Sequence, residues 1–129
     1  MDYGYVKKLD LDFAAAETRV REALGAEGFG VLSEIDVQQA FKNKLDLDYR
    51  PYKILGACNP DLARKAVDGE PHIGLLLPCN VLIQANPEGQ GVVVSIADPK
   101  AMFGIVDNNA VQPVADEAAE RLRRVMDSL

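Results

Sequence analysis

The sequence has few of the residues on which nucleic-acid recognition usually depends. Its 129 residues include no tryptophan, four tyrosines and four phenylalanines, and these aromatics are scattered along the chain. That content is too low for a platform on which bases stack. The formal net charge of −6 is opposite in sign to the basic footprint that binds phosphate backbones. We therefore expect no nucleic-acid partner.

Signals for membranes and for nucleotide binding are missing as well. The first residues, MDYGYVKKLDLDF, contain no basic segment followed by an apolar one, so they do not resemble a signal peptide. Pro78 and Asn80 interrupt the longest apolar run, which stays far below the roughly 18 residues of a membrane helix. No G-x-G-x-x-G or Walker A motif is present. We expect a cytoplasmic protein without a membrane partner, whose reducing surroundings disfavour a structural Cys58–Cys79 disulfide.

The hydrophobic pattern that is present predicts one α+β domain over residues 1–129. The composition, 48% hydrophobic and 26% charged, is that of an ordinary globular protein. Strand-like and helix-like segments alternate along the chain and are followed by a hairpin, which predicts the order β-α-β-α-β-α-β-β-α. The sheet is expected to be mixed or mostly antiparallel, with about five strands. The strands are expected at 2–9, 30–35, 52–58, 73–85 and 91–97, and the helices at 13–27, 37–45, 60–69 and 110–128.

Helix punctuation supports these assignments. Asp12, Asp36 and Asn59 each stand where an N-cap is expected, and Pro60 follows Asn59 at the first helical position. Gly28 is placed to end the first helix.

The only two cysteines occur in similar settings, GACNP at 56–60 and LPCN at 77–80. In a strand over 73–85, Cys79 shares an apolar face with Leu75, Leu77, Val81 and Ile83, which predicts a buried core thiol. Pro78 favours a bulge that would turn Cys79 elsewhere. Asn80 is expected on the opposite face, between Leu76 and Leu82, where a buried amide needs hydrogen-bond partners.

Cys58 directly precedes the predicted helix N-terminus at Asn59. Backbone N–H groups and the helix dipole stabilise a thiolate there, so we expect a lowered pKa and a reactive thiol. The alternative is a structural thiol next to an asparagine that acts only as a cap. The single histidine, His72, would complete a three-ligand metal set with Cys58 and Cys79. The spacing matches no zinc signature, and the chain has no third cysteine or second histidine to serve as a fourth ligand, so we expect no metal.

A local basic cluster lies inside this acidic chain. Lys42, Lys44, Arg50 and Lys53 could hold a small anion, together with backbone donors at the helix N-terminus around Asn59. A solvated surface is the alternative for such a run of charges. Lys53 is the most interesting member, because it lies on the strand that leads to Cys58, on the face opposite that thiol.

Three segments resemble one known family. EIDVQ (34–38), RPYKILGACNP (50–60) and IGLLLPCNV (73–81) are similar to domain-of-unknown-function family 302. The resemblance implies a TATA-binding-protein-like α+β fold, with a curved antiparallel sheet, helices packed against it, and frequent dimerisation. It implies no DNA binding and supplies no catalytic residues. Cys58, Asn59, Cys79 and Asn80 fall on its characteristic motif positions, whereas His72 lies outside them.

These observations favour a homodimer that binds a small anionic or sulfur-containing molecule. The predicted ligand-binding residues are Lys53, Cys58, Asn59, Cys79 and Asn80, and no cofactor is indicated. One alternative is a thiol enzyme or a persulfide or redox carrier, with Cys58 as the nucleophile and Cys79 as its partner. The other is a structural or interaction module without chemistry.

Overall fold

A five-stranded sheet forms the centre of the computed structural model, which describes residues 1–129. Its strands are β1 (Gly4–Leu9), β2 (Gly30–Asp36), β3 (Tyr52–Cys58), β4 (Cys79–Ala85) and β5 (Val92–Ala97). They lie in the order β1-β5-β4-β3-β2, and every neighbouring pair is antiparallel. The predicted α+β fold with an antiparallel five-stranded sheet is confirmed.

The predicted helix caps are present. Five α-helices are formed, α1 (Phe13–Ala26), α2 (Val37–Leu45), α3 (Pro60–Gly69), α4 (Pro99–Phe103) and α5 (Gln112–Asp127), with 3₁₀ helices at 71–76 and 109–111. The Asp12 carboxylate accepts from the Ala15 N–H at 2.8 Å, and Asp36 accepts from Gln39 at 2.9 Å. These bonds satisfy donors that a helix start leaves free. None of the helices is long and apolar enough to cross a membrane.

Helices α1 and α5 cover one face of the sheet and form the larger hydrophobic cluster with it. The apolar stripe of α1 includes Ala16, Val20 and Leu24, all fully buried. Leu122 and Val125 of α5 are buried beside it. The sheet contributes side chains that alternate along the strands, Leu55, Ala57, Val81, Ile83, Val92, Val94 and Ile96. This arrangement places the helix-facing side of every inner strand in the core.

A second, smaller cluster lies beyond the end of the sheet. It is formed by α3, the two 3₁₀ helices at 71–76 and 109–111, α4 and α5, and its buried members are Leu62, Ala66, Ile73, Phe103, Val111, Val114, Ala115 and Ala118. Helix α5 contributes to both clusters and joins them. The space between the two clusters is where Cys58 and Cys79 are found.

The opposite face of the sheet carries no acidic side chain, although the chain has 20. By strand alternation and register, its central row across the strands is Val6, Ser95, Leu82, Ile54 and Ile35. Val6 and Ile35 are about half exposed, at 49% and 51%. Helix α2 contacts only one end of this face, where Phe41 packs on Tyr49 and Tyr49 on Tyr52. We call this surface the open face.

The prediction of one strand over 73–85 is wrong for its first half. Residues 71–76 form a 3₁₀ helix, and the strand begins only at Cys79. Glu70 accepts from the His72 N–H at 3.4 Å, and Pro71 occupies the first helical position. Helix α3 begins with the same pair, an N-cap residue followed by a proline. At 71–76 this helix-start pair outweighs the apolar run that suggested a strand. The Leu77–Pro78 peptide bond that follows is cis.

Two glycines three residues apart give a direct test of how α1 ends. Gly28 has φ +83°, and an added Cβ would lie 2.9 Å from Asn59 Nδ2, whereas Gly25 has open space around it. We expect Gly28→Ala to lower the free energy of unfolding by about 1–2 kcal/mol or more, because L-residues disfavour left-handed backbone. Gly25→Ala, the matched control, should raise it by up to about 1 kcal/mol. Denaturant unfolding measures both, and equal effects would contradict this account of the helix end.

Candidate functional site

Cys79 is the first residue of β4 and lies on the helix-covered face of the sheet. Its Cα pairs with that of Ala57, and its side chain is half-buried at the edge of the larger cluster. It shares its face with Val81 and Ile83, as predicted. Leu75 and Leu77 do not belong to that face, because the chain there is not a strand.

Cys58 is the last residue of β3, and it is half-buried too. It follows Ala57, the residue opposite Cys79, so the two thiols lie at the same end of neighbouring strands. Both cysteines are free. The two Cys-Asn segments, which are 21 positions apart in the sequence, therefore meet at one end of the sheet.

An inner cavity of about 30 Å³ lies between the two hydrophobic clusters and is lined by both cysteines. Phe29 and Ala57 come from the larger cluster. The smaller cluster supplies Leu62, Ala66, Phe103, Val114 and Ala118. The remaining polar side chain of the wall is Asn59. The cavity is thus a narrow apolar gap where two cores fail to interdigitate fully.

An outer groove of about 210 Å³ adjoins this cavity. The 3₁₀ helix at 71–76 and α4 form its sides through Leu75, Leu76 and Met102, while Asn80 and Ala97 come from the sheet. The wall shared by both spaces consists of Leu77, Pro78, Cys79, Pro99 and Phe103. Cys79 therefore borders both spaces, whereas Cys58 lines only the inner cavity.

Pro78 is packed against the sheet at a glycine. A Cβ on Gly56 would lie 2.6 Å from Pro78 Cγ and would also collide with Ser33 Oγ. Gly56 and Asn80 are register partners, so the proline ring lies over β3 just before β4 begins. Since a side chain at position 56 would collide with both the ring and the Ser33 hydroxyl, the glycine allows the segment that leads into Cys79 to lie this close to β3.

The two motif asparagines have different surroundings. Asn59 is 8% exposed, and its Oδ1 accepts from the Leu62 N–H at 3.1 Å as the cap of α3. Asn80 is exposed, so the expectation of a buried amide between Leu76 and Leu82 is wrong. The open face leaves its side chain in solvent at the edge of the outer groove.

Lys53 lies outside both cavities. Its Nζ forms ion pairs with Glu17 at 2.7 Å and Glu34 at 2.8 Å, and Arg21 pairs with the same two carboxylates at 3.0 Å. The hydrogen bonds that Lys53 donates to the carboxylates of Glu17 and Glu34 raise the Lys53 pKa, and the bond to Glu34 lowers the Glu34 pKa. Lys53 therefore links α1, β2 and β3, and its charge is compensated locally.

The rest of the basic cluster does not converge either. Lys42 pairs with Asp46 and Asp48 at the surface, at 3.1 and 3.2 Å. Arg50 donates to Gln84 Oε1 and stacks over Tyr49 at 4.7 Å from the ring centre. No anion-binding set forms from these side chains.

The expected low pKa of Cys58 is not found. Burial raises the pKa of Cys58 above its ordinary value, and it raises that of Cys79 to about 11, with the nearby Cys58 thiol adding to the shift. Burial in apolar surroundings disfavours the charged thiolate relative to the neutral thiol. Both thiols are therefore protonated at neutral pH.

A metal set of Cys58, His72 and Cys79 is not assembled. His72 is an exposed residue of the 3₁₀ helix and lines neither cavity. No three His, Cys, Asp or Glu side chains lie close enough together to hold a metal ion.

Comparison with known proteins identifies the family. The family model described as "Domain of unknown function DUF302" matches residues 5–129. The chain belongs to the DUF302 family. A crystal structure of an uncharacterised conserved DUF302 protein from Bacillus stearothermophilus is similar to it, with 25% identity and a TM-score of 0.88. That likeness covers 98% of this chain and 97% of the other. No functionally curated protein matches.

Several groove residues of this DUF302 protein are not apparent from its sequence. Pro99, Met102 and Phe103 belong to α4, a helix that the hydrophobic pattern does not predict. The sequence feature that marks the start of α4 is the pair Asp98–Pro99. Asp98 is the N-cap, and its carboxylate accepts a hydrogen bond from the Lys100 N–H at 2.9 Å. The same cap-and-proline pairing as Asn59–Pro60 would have indicated this helix.

The thiol pKa values predict the reactivity of this DUF302 protein. Since only the thiolate attacks iodoacetamide, alkylation of Cys79 should rise about tenfold per pH unit from pH 7 and level off only near pH 11. Mass spectrometry of time-course digests separates the two cysteines, and free cysteine is the control. A plateau near the free-thiol pKa of about 8.5, at either residue, would contradict the burial described here.

Proposed function

We propose that this DUF302 protein is a cytoplasmic homodimer that binds a small molecule in the groove beside Cys58 and Cys79. The observation that carries the proposal is the wall of Leu77–Cys79, Pro99 and Phe103, which separates an inner cavity from an outer groove. Ligand sites are concave, mostly apolar and equipped with a few polar groups, and this place has all three properties. The motif residues Cys58, Asn59, Cys79 and Asn80 all border it.

A thiol enzyme has less support than a binding protein. A nucleophilic cysteine needs a lowered pKa or an adjacent base, and both thiol pKa values are raised. No histidine, lysine or arginine lines either cavity. The thiols are better suited to contacting a ligand as soft, weakly polar groups.

Binding is tested by nuclear magnetic resonance titration of the labelled protein with thiosulfate, cysteine and diethyl sulfide. These probes represent the anionic and sulfur-containing classes that the sequence favours. We expect at least one probe to shift the amide signals of Cys79, Asn80 and Phe103 in a saturable way. Ala97→Leu, which fills the groove, should weaken binding at least tenfold, and Ala14→Leu on the exposed side of α1 should not.

The outcome that overturns the ligand-binding proposal is a full titration in which no probe, including the neutral ones used below, shifts these groove amides. An interaction module without a ligand would then be the better account of the fold.

The open face supports the homodimer. Two copies of a chain with net charge −6 repel one another, and this face is the part of the sheet without an acidic side chain. Its central row crosses the sheet with four apolar residues, Val6, Leu82, Ile54 and Ile35. In an isologous dimer such a row packs against itself.

Leu82→Glu, in the middle of that row, should convert the dimer into a monomer, because it introduces like charges at the centre of the contact. Val67→Glu is the matched control, since Val67 is 42% exposed on α3, away from the open face. Sedimentation equilibrium reports the mass of both variants. A monomeric parent protein, or a dimer that survives Leu82→Glu, would contradict the use of this face.

A further inference from the structure

The walls of the inner cavity and outer groove carry no charged side chain. Their polar side chains are two thiols and the amides of Asn59 and Asn80. The Asn59 oxygen is already used as the cap of α3, and Asn80 faces solvent. An anion that entered would give up its hydration without a compensating cation or a set of donors, which is costly in an apolar site. The lining therefore favours an uncharged ligand.

The size of the two spaces limits the ligand to a short molecule. The outer groove of about 210 Å³ and the inner cavity of about 30 Å³ both lie below the roughly 300 Å³ at which sites for drug-sized ligands begin. The inner space is narrow and bounded mainly by hydrophobic residues, so it suits the end of a chain better than a ring or a hydrated group.

The rim of the groove is apolar and adaptable. Leu75, on the 3₁₀ helix, is 87% exposed and stands at the entrance, with Met102 of α4 across the groove. Covering the apolar surface of such an exposed leucine with a ligand is favourable, because that surface is removed from water. A methionine side chain is flexible enough to follow the shape of different chains. Both features suit an apolar chain that lies between the 3₁₀ helix and α4.

We infer that the groove binds a short, uncharged apolar chain, such as an alkyl chain or a thioether, whose end points towards Cys79 and the inner cavity. This inference rests on the proposed ligand-binding function and narrows it to one chemical class. Any polar end group of the ligand would remain at the rim, beside the exposed amide of Asn80.

A chain-length series tests the inference. The probes are n-butanol, n-hexanol and n-octanol, with hexanoate as the anion of matched length, and the readout is the dissociation constant from the groove amide shifts. We expect binding to tighten about fourfold per added methylene group, the equivalent of about 0.8 kcal/mol, until the chain exceeds the groove. Hexanoate should bind at least tenfold more weakly than n-hexanol.

A variant that fills the outer groove tests whether the alkyl chain of the ligand binds there. Ala97→Leu should shorten the preferred chain length, and Ala14→Leu should leave the series unchanged. The comparison of n-hexanol with hexanoate needs no variant, so it decides the inference even if Ala97→Leu fails to fold.

The inference is overturned if hexanoate binds as tightly as n-hexanol, or if affinity does not depend on chain length. It is also overturned, with the proposed function intact, if thiosulfate or cysteine shifts the groove amides while the alcohols do not. If no probe of any class shifts them, both proposals fail.

Discussion

The contact of the Pro78 ring with the bare backbone of Gly56 is the constraint on which the candidate site depends. Pro78 follows a 3₁₀ helix and precedes β4, so its position decides how the chain enters the sheet. Because Gly56 has no side chain, the ring can lie directly over β3. Leu77 and Cys79, on either side of the ring, are thereby held in the wall between the inner cavity and the outer groove.

The two-cluster architecture explains why a space exists at that position. The larger cluster is organised by the sheet and the smaller by helices packed among themselves, and α5 is common to both. Residues of both clusters line the inner cavity, so the space lies where the two separately packed interiors meet. Cys58 and Cys79 lie at this junction, and their raised pKa values follow from the apolar surroundings.

Much of the fold is predictable from local chemistry. The caps at Asp12, Asp36 and Asn59, the stop at Gly28 and the strands predicted at 52–58 and 91–97 all agree with the structure. The error at 73–78 arose because leucine-rich segments fit a buried strand and a packed 3₁₀ helix equally well. Only the punctuation at Glu70–Pro71 distinguishes them, as Asp98–Pro99 does for α4.

The candidate site was predictable in part. Sequence reasoning selected the Cys58 and Cys79 segments, and the antiparallel pairing of β3 with β4 brings them to one end of the sheet. It placed Lys53 in the same site, but the carboxylates that neutralise Lys53 come from α1 and β2, a tertiary arrangement without a local signal. The thiol pKa values also depend on burial, which the helix-terminus argument for Cys58 did not include.

The most direct test of the central claim is the alkylation rate of Cys79 in Gly56→Ala at a fixed alkaline pH, with Gly30→Ala as the control. Gly30 has open space where a Cβ would be added, whereas the Gly56 Cβ would displace Pro78. The account predicts that Gly56→Ala speeds the alkylation of Cys79 several-fold, because a displaced Pro78 exposes the thiol, and that Gly30→Ala leaves the rate unchanged. Equal rates in Gly56→Ala and the parent protein would contradict it.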